Sequence, residues 1–339
     1  MLKPLLALLA TLSLMGAAST ADAQTTLQKI RERGAVRCGA SQGVAGFSIP
    51  DDKGVWSGFD IDFCRALAAA IFDDPDKTQF VPLSSKDRLT ALQAGEIDVL
   101  SRTTSWTLQR DVALGLNFTA VAYYDGQGFM VRKSLGVKSA KELDGATVCI
   151  SQGTTNELNA ADFFRKNKMK LEVVTFQEVV ETVKAFEAGR CDVYTTDSSA
   201  LFANRLKLAK PDDYLVLPEV ISKEPLGPWV RQGDDQWFDI VRWTLFVLVG
   251  AEELGVTRGN ADAMRESDTP EVRRLLGVEG NFGEALGLTR DWGHRIIRRV
   301  GNYGEIFERN LGKGTRLAIP RGYNELWTRG GLQYAPPVR

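Results

Sequence analysis

Three short loops carry side chains suited to holding a small charged molecule. The first is Ser151-Gln152-Gly153-Thr154-Thr155-Asn156-Glu157, which follows a strand-like run and opens a helix-like one. Thr154 and Glu157 have the spacing of a capping box. A helix start behind a Gly turn exposes backbone N–H groups and the positive end of the helix dipole, which suit a carboxylate or phosphate. An ordinary cap that binds nothing has the same sequence. No Gly-Lys-Ser/Thr follows, so it is not a Walker loop. The second loop, residues 102–111, holds Arg102, Thr103, Ser105 and Arg110. Its hydroxyls are hydrogen-bonding groups, and the Arg110 guanidinium can take a carboxylate through two parallel hydrogen bonds. A surface ion pair is the plain alternative for Arg110. The third loop, residues 194–199, centres on Asp197. Its carboxylate suits an ammonium group, unless it only caps the helix behind it. Together the three loops match the two charged ends of a free α-amino acid.

Two of these loops end copies of one unit. Residues 91–105 read ALQAGEIDVLSRTTS, and residues 185–199 read AFEAGRCDVYTTDSS. Ala91, Ala94, Gly95, Asp98, Val99 and Ser105 recur as Ala185, Ala188, Gly189, Asp192, Val193 and Ser199. Each copy has the pattern of a helix end, a Gly stop, and a strand running into a polar loop. A solenoid would repeat many times at a short period. A single duplication at long spacing predicts two lobes of similar build. Their polar loops then lie at the carboxyl ends of two sheets, where open α/β sheets bind ligands. The alignment sets Asp197 against Thr103. Asp98 and Asp192, each behind a Gly stop, are expected to be structural.

The elements that position these loops follow from periodicity. Helices are expected over 25–34, 59–72, 86–94, 155–166, 179–188 and 236–254. Strands are expected over 35–41, 78–82, 97–100, 147–150, 171–176 and 191–195. The βαβα order predicts an α/β fold in which each lobe is a doubly wound parallel sheet. Extended segments near 124–128 and 222–228 are expected to pass between the lobes. The chain then divides into lobe 1 over 24–125, lobe 2 over 126–225, and a return to lobe 1 over 226–339 that includes a C-terminal extension.

Composition narrows the class. The formal net charge is −1, with no basic stripe for nucleic acid and no polybasic patch for anionic membranes. Lys3, the apolar run over 5–14 and Ala21-Asp22-Ala23 form a cleavable export signal, with cleavage expected after Ala23. The run is too short for a span, which needs about 20 residues. The apolar stretch over 243–251 is bounded by Arg242 and Glu252, and a buried helix is expected there. Four cysteines in an exported chain favour disulfides. Their spacing suggests Cys38–Cys64 and Cys149–Cys191, one bridge in each lobe. One His and no CxxC argue against a zinc site, and no metal or cofactor is expected.

With these residues in view, the chain resembles the extracellular solute-binding proteins of polar amino-acid ABC uptake systems, in the long-chain branch serving general L-amino acid transporters. The stretches that carry the resemblance are CGASQGVAGFS, GVWSGFDIDFCRALAAAIF, VLSRTTSWTLQRD, DGATVCISQGTTNEL, AGRCDVYTTD, ISKEPLGPWVRQGDDQWFDIVRWTLF, NYGEIFERNLG and the end Ala335 to Arg339. The resemblance implies a two-lobed periplasmic binding fold, hinged on two crossover strands, that closes over one amino acid. It implies that Arg110 clamps the α-carboxylate with Ser105 and the Thr155 amide. Asp197 and Thr103 would take the ammonium, and Ser151 and Asn156 would line the cleft. Many relatives place an aromatic ring at the position of Val44; here only Phe47 lies near. Arg102 replaces a small polar residue, and it either favours acidic or amide side chains or pairs with a neighbouring acid. The implied partners are a free L-amino acid and the membrane permease, and the protein is expected to be a monomer.

Two other classes remain open at this point. One is a periplasmic enzyme on the same fold, such as a dehydratase, which needs an acid/base pair near neutral pH. His294 lies outside both cleft loops. The other is a soluble ligand sensor for a receptor. Fold alone does not choose among them; the cleft residues favour binding without catalysis.

Overall fold

The computed structural model describes residues 24–339. The expected export signal lies outside the described residues. Lobe 1 begins with α1 (Thr26–Arg33), β1 (Val36–Ala40), the short β2 (Ile49–Pro50) and β3 (Trp56–Ser57), and α2 (Phe59–Phe72). It continues through β4 (Thr78–Pro82), α3 (Arg88–Ala94), β5 (Val99–Leu100), α4 (Leu108–Ala113) and β6 (Leu116–Phe118). The strand β7 (Tyr123–Asp125) leads out of it. Lobe 2 holds β8 (Gln127–Arg132), β9 (Thr147–Ser151), α5 (Asn156–Lys166), β10 (Glu172–Phe176), α6 (Val179–Glu187), β11 (Val193–Asp197), α7 (Ser198–Arg205) and β12 (Tyr214–Val216). The chain returns through β13 (Glu224–Leu226) to β14 (Trp229–Arg231) and α8 (Asp235–Glu253). The helices α9 (Pro270–Leu275), α10 (Phe282–Ala285), α11 (Trp292–Val300) and α12 (Tyr303–Asn310) follow.

Each lobe is built on a five-stranded sheet, in the orders β4-β1-β5-β14-β6 and β10-β9-β11-β8-β12. The two orders are equivalent. Neither sheet is purely parallel, in contrast to the expectation from the βαβα pattern. β14 runs antiparallel to β5 and β6, and β8 antiparallel to β11 and β12. The cause is the path of the chain. Each of these strands is the first to enter its lobe from the crossover pair, so it comes in from the opposite end. The crossovers themselves pair antiparallel, Tyr123 with Leu226 and Asp125 with Glu224.

The duplicated unit is reproduced bond for bond. Gly95 and Gly189 take φ of +77° and +81° just beyond α3 and α6. These left-handed positions suit Gly because it has no Cβ to clash. The Asp98 N–H donates to the Arg37 carbonyl while its carboxylate accepts from the Arg37 N–H at 2.7 Å. Asp192 does the same with Thr147, at 2.9 Å for the N–H to carboxylate bond. Both acids are structural, as expected. Cys38 of β1 is bonded to Cys64 of α2, and Cys149 of β9 to Cys191 just ahead of β11. Each bridge lies within one lobe and contributes roughly 3 kcal/mol in the chain-entropy model.

Strand alternation sorts the lobe 2 core into two layers, with Phe129, Val148 and Ile150 on one face and Met130, Cys149 and Tyr194 on the other. Lobe 1 has the larger core, where α2 packs against α8, α11 and α12. The Ala-rich face of α2 permits this close approach. The predicted buried stretch over 243–251 lies within α8, and among the described residues no helix is long and apolar enough to cross a membrane. The C-terminal segment reaches back to the crossover strands. Asn324 accepts from the Tyr124 N–H at 2.7 Å and donates to its carbonyl at 3.1 Å. Gln333 and Tyr303 both donate to the Ala122 carbonyl.

Candidate functional site

The carboxyl ends of β4, β5, β9 and β11 converge on a cavity of about 30 Å³ between the lobes. Thr103, Ser105 and Arg102 reach it from lobe 1, and Ser151, Thr155, Asn156 and Asp197 from lobe 2. Seven of the nine ligand residues named from the sequence therefore share one space. One water needs about 10–15 Å³ of such space, so the cavity holds about two or three waters, and an amino acid enters only if the lobes part.

Asp197 is the N-cap residue of α7, yet its side chain makes no capping bond. It accepts instead from the Asn156 amide at 3.1 Å. The plain capping role is thus not the one its carboxylate performs. Burial, with Asp125 and Glu224 close by, pushes its pKa well above the usual carboxylate range. Asp125 behaves alike, raised by burial to about 6. A cation placed among these groups would reverse that cost.

On lobe 1, Thr107 accepts from the Arg110 N–H and so starts α4. Arg110 then donates to the Ser105 carbonyl at 3.0 Å and, across the cleft, to the Gly153 carbonyl at 3.3 Å. It is buried at the seam beside the cavity and is not part of its lining. Burial lowers its pKa, with Glu224 and then Asp197 opposing. Thr103 sits at φ +38°, a region costly for a residue with a Cβ. Its N–H donates to Asp60 at 3.0 Å, which holds the loop in place.

Arg102 donates to the Leu83 carbonyl at 2.8 Å and lines the cavity. Its pKa falls to about 10 through burial, with Glu178 and Asp60 opposing. Ser151 lines the cavity while its hydroxyl meets Thr182 at 3.0 Å. The Thr154–Glu157 capping box does not form. Glu157 accepts from the Gly153 N–H at 2.8 Å, and Thr154 donates back to the Ser151 carbonyl.

Phe47 is a correction. It is buried in the lobe 1 core, edge-on to Phe59 and Tyr123, and does not line the cavity. The apolar lining comes from Val44, Val179 and Ala200. Neighbouring positions in a loop point in different directions, and the sequence does not say which one faces the ligand.

Two residues of the site escape the sequence reading. Arg88 lines the cavity, is 4% exposed, and has no hydrogen-bond partner for its Nε among the described residues. Burial, with Arg102 and Arg110 nearby, drives its pKa down, while Asp197 and Glu224 oppose. It follows the carboxyl end of β4, so the rule that pointed to the other loops applies to it as well. Glu224, at the start of β13, accepts from Ser105, from Thr155 at 2.9 Å and from Asn159 at 2.7 Å. No local motif marks it.

The lobes also meet outside the cavity. Lys207 donates to the Gly43 carbonyl at 2.7 Å. Gly153, at φ +73°, lies so close to lobe 1 that a Cβ would stand 2.8 Å from the Lys86 Cα.

The model of the bacterial extracellular solute-binding proteins, family 3, matches residues 36–254. The chain is 56% identical to the general L-amino acid-binding periplasmic protein AapJ of Rhizobium johnstonii over 96% of each chain. It is 52% identical to the glutamate/glutamine/aspartate/asparagine-binding protein BztA of Rhodobacter capsulatus, over 96% of this chain and 95% of that one. Among solved structures, a periplasmic binding protein of Brucella ovis with glutathione bound superposes with a TM-score of 0.91 at 54% identity, covering 93% of this chain and 99% of that one. The chain belongs to the family 3 extracellular solute-binding proteins.

Proposed function

We propose that the protein is the substrate-binding component of an ABC uptake system. It closes over one free L-amino acid and hands it unchanged to a membrane permease. The observation that carries this is Asp197, a buried carboxylate left free by the helix it starts, facing a loop rich in arginine across a cavity between two hinged lobes. Asp197, with Asn156 and Thr103, takes the ammonium. Arg110 takes the α-carboxylate at the seam. Ser151, Arg102 and Arg88 face the side chain, whose polar, acidic and amide forms their donors suit.

The relatives support this reading. One is named for general L-amino acids and another for glutamate, glutamine, aspartate and asparagine. Glutathione, bound in the Brucella ovis protein, carries a free α-amino and α-carboxylate group at its γ-glutamyl end, so it presents the same two charged groups. On this reading the lobe boundaries are 125/126, at the end of β7, and 225/226, within β13. The protein works as a monomer in the periplasm, after cleavage behind Ala23.

Catalysis is not part of this proposal. Asp60 has a pKa raised by burial to about 7, suited to acid–base work, yet it sits behind Thr103 and is not in the cavity lining. His294 faces Asp262, away from the cleft. A thermal-shift screen against the proteinogenic amino acids tests the function, because a ligand stabilises only the state that binds it. Stabilisation by a subset with polar or acidic side chains is expected, with the ligand recovered unchanged. Stabilisation by none of them, or turnover of the ligand, overturns it.

A further inference from the structure

We infer that Glu224 is a positioning residue that decides which end of the ligand the cleft hydroxyls serve; this rests on the function proposed above. Glu224 is 1% exposed and stands on the crossover strand itself. Each of its carboxylate oxygens accepts twice. Oε2 accepts from the hydroxyls of Ser105 and Thr155, and Oε1 from the Asn159 amide and the Ser222 hydroxyl. Ser105 belongs to lobe 1, and Thr155 and Asn159 to lobe 2. One carboxylate on the hinge thus gathers donors from both lobes.

The consequence follows from counting protons. A hydroxyl has one proton to donate and two lone pairs. An ionised carboxylate only accepts, so Ser105 and Thr155 must both spend their protons on Glu224. What they present to the cavity is lone pairs. Such groups accept from an ammonium and repel a carboxylate. The Ser105 hydroxyl then serves the ammonium end of the ligand. The α-carboxylate is left to the arginines and to backbone N–H groups. Glu224 also opposes the burial of Arg110 ahead of Asp197, so its charge faces that guanidinium as well.

Its ladder partner shows what is particular to it. Asp125 lies opposite Glu224 across the crossover pair. Asp125 accepts from Ser199, from its own Gly126 N–H and from nothing in lobe 1 among the described hydrogen bonds. Of the two acids, only Glu224 touches both lobes and the cavity-lining hydroxyls.

The test is Glu224→Gln, measured by titration calorimetry with L-glutamate and with 2-oxoglutarate, which lacks the ammonium. A glutamine offers one oxygen in place of two, so two of the four donors lose their acceptor whichever way the amide turns. L-glutamate is expected to bind at least tenfold more weakly, and 2-oxoglutarate within about twofold of the wild type. If Glu224 only holds the lobes together, both ligands weaken alike, and that result overturns the proposal. Ser105→Ala reads the same discrimination through the hydroxyl, and serves if Glu224→Gln fails to fold. Equal effects of Ser105→Ala on both ligands overturn the proposal as well. A wild-type protein that binds no amino acid at all would instead remove the function on which the inference rests.

Discussion

The two copies of the repeated unit behave identically into the start of their strands and differently beyond. In both, a left-handed Gly ends the helix and an Asp ties its strand to the neighbouring one through the same pair of backbone bonds. After that, lobe 1 continues with Arg102 and Thr103, and lobe 2 with Thr196 and Asp197. Their serines diverge too. Ser105 donates to Glu224, which lobe 2 also holds, while Ser199 donates to Asp125, which stays with lobe 2. The scaffold part of the unit needs the same chemistry wherever it is used. Under the proposed function the loop part meets one asymmetric ligand with different groups, arginine from lobe 1 and a carboxylate from lobe 2. On that reading an internal repeat separates residues that hold the fold from residues that hold the ligand.

The largest expected effect comes from breaking the lobe 1 side. Arg110→Ala removes a buried guanidinium that spans the seam to Gly153 and faces Glu224 and Asp197. Loss of one partner from a desolvated charge pair costs roughly 3–5 kcal/mol. Titration calorimetry should find no binding of any amino acid to a protein that remains folded. Near-normal affinity would mean that Arg110 is only a seam residue.

The matching change on the lobe 2 side is Asp197→Asn. A hydrogen bond to a charged group is worth about 1.5–3 kcal/mol, so amino acids should weaken by roughly one to two orders of magnitude. Their deaminated analogues should not weaken. Equal losses for both would return Asp197 to a capping role, against the free carboxylate found here.

How much of this arrangement can be read from the sequence depends on how local each cause is. α2 is legible to the residue, because Phe59 follows a Gly at φ +131° and Phe72 precedes an Asp in the left-handed region. The crossover pair, the disulfides and seven cavity residues follow from the repeat, the compartment and the family resemblance. Strand direction within the sheets does not, because it depends on which end the chain enters. Phe47 misleads because loop direction is set by the Phe59 and Tyr123 rings that receive it. Glu224 is invisible because its four donors come from three separate stretches of chain.

A smaller effect is expected at the point where the lobes touch. Gly153→Ala adds a Cβ at a left-handed residue, at about 1–2 kcal/mol, and sets it against the lobe 1 backbone at Ser85 and Lys86. Only the closed arrangement contains that second contact. The variant should lose ligand-induced compaction in small-angle scattering, with ligand affinity reduced about tenfold. Full compaction on adding ligand would show that the lobes meet elsewhere when the site is filled.

The smallest effect distinguishes the acids of the two lobes by pH. Asp125, beside lobe 2, is raised by burial to about 6, and Asp60 in lobe 1 to about 7. A carboxyl whose folded pKa lies above its unfolded value binds more protons when folded, so its contribution to stability is present below the unfolded pKa and is lost as pH rises through the folded one. The ligand-free protein should therefore gain stability as pH falls from about 7 towards 4, and both Asp60→Asn and Asp125→Asn should flatten that slope. Affinity should move the other way. An ammonium requires Asp197 and its neighbour Asp125 to be ionised, so protons compete with it, and amino acids should bind at least about tenfold more weakly at pH 5, one unit below the Asp125 value, than at pH 7. Asp60 hydrogen-bonds the Thr103 N–H from behind the loop, and so Asp60→Asn should leave the pH dependence of affinity in place while Asp125→Asn reduces it. Thermal melts and calorimetry across the same pH series measure both slopes. If Asp60→Asn removes the pH dependence of binding, the competing proton belongs to Asp60, and the assignment of the ammonium to Asp197 beside Asp125 fails.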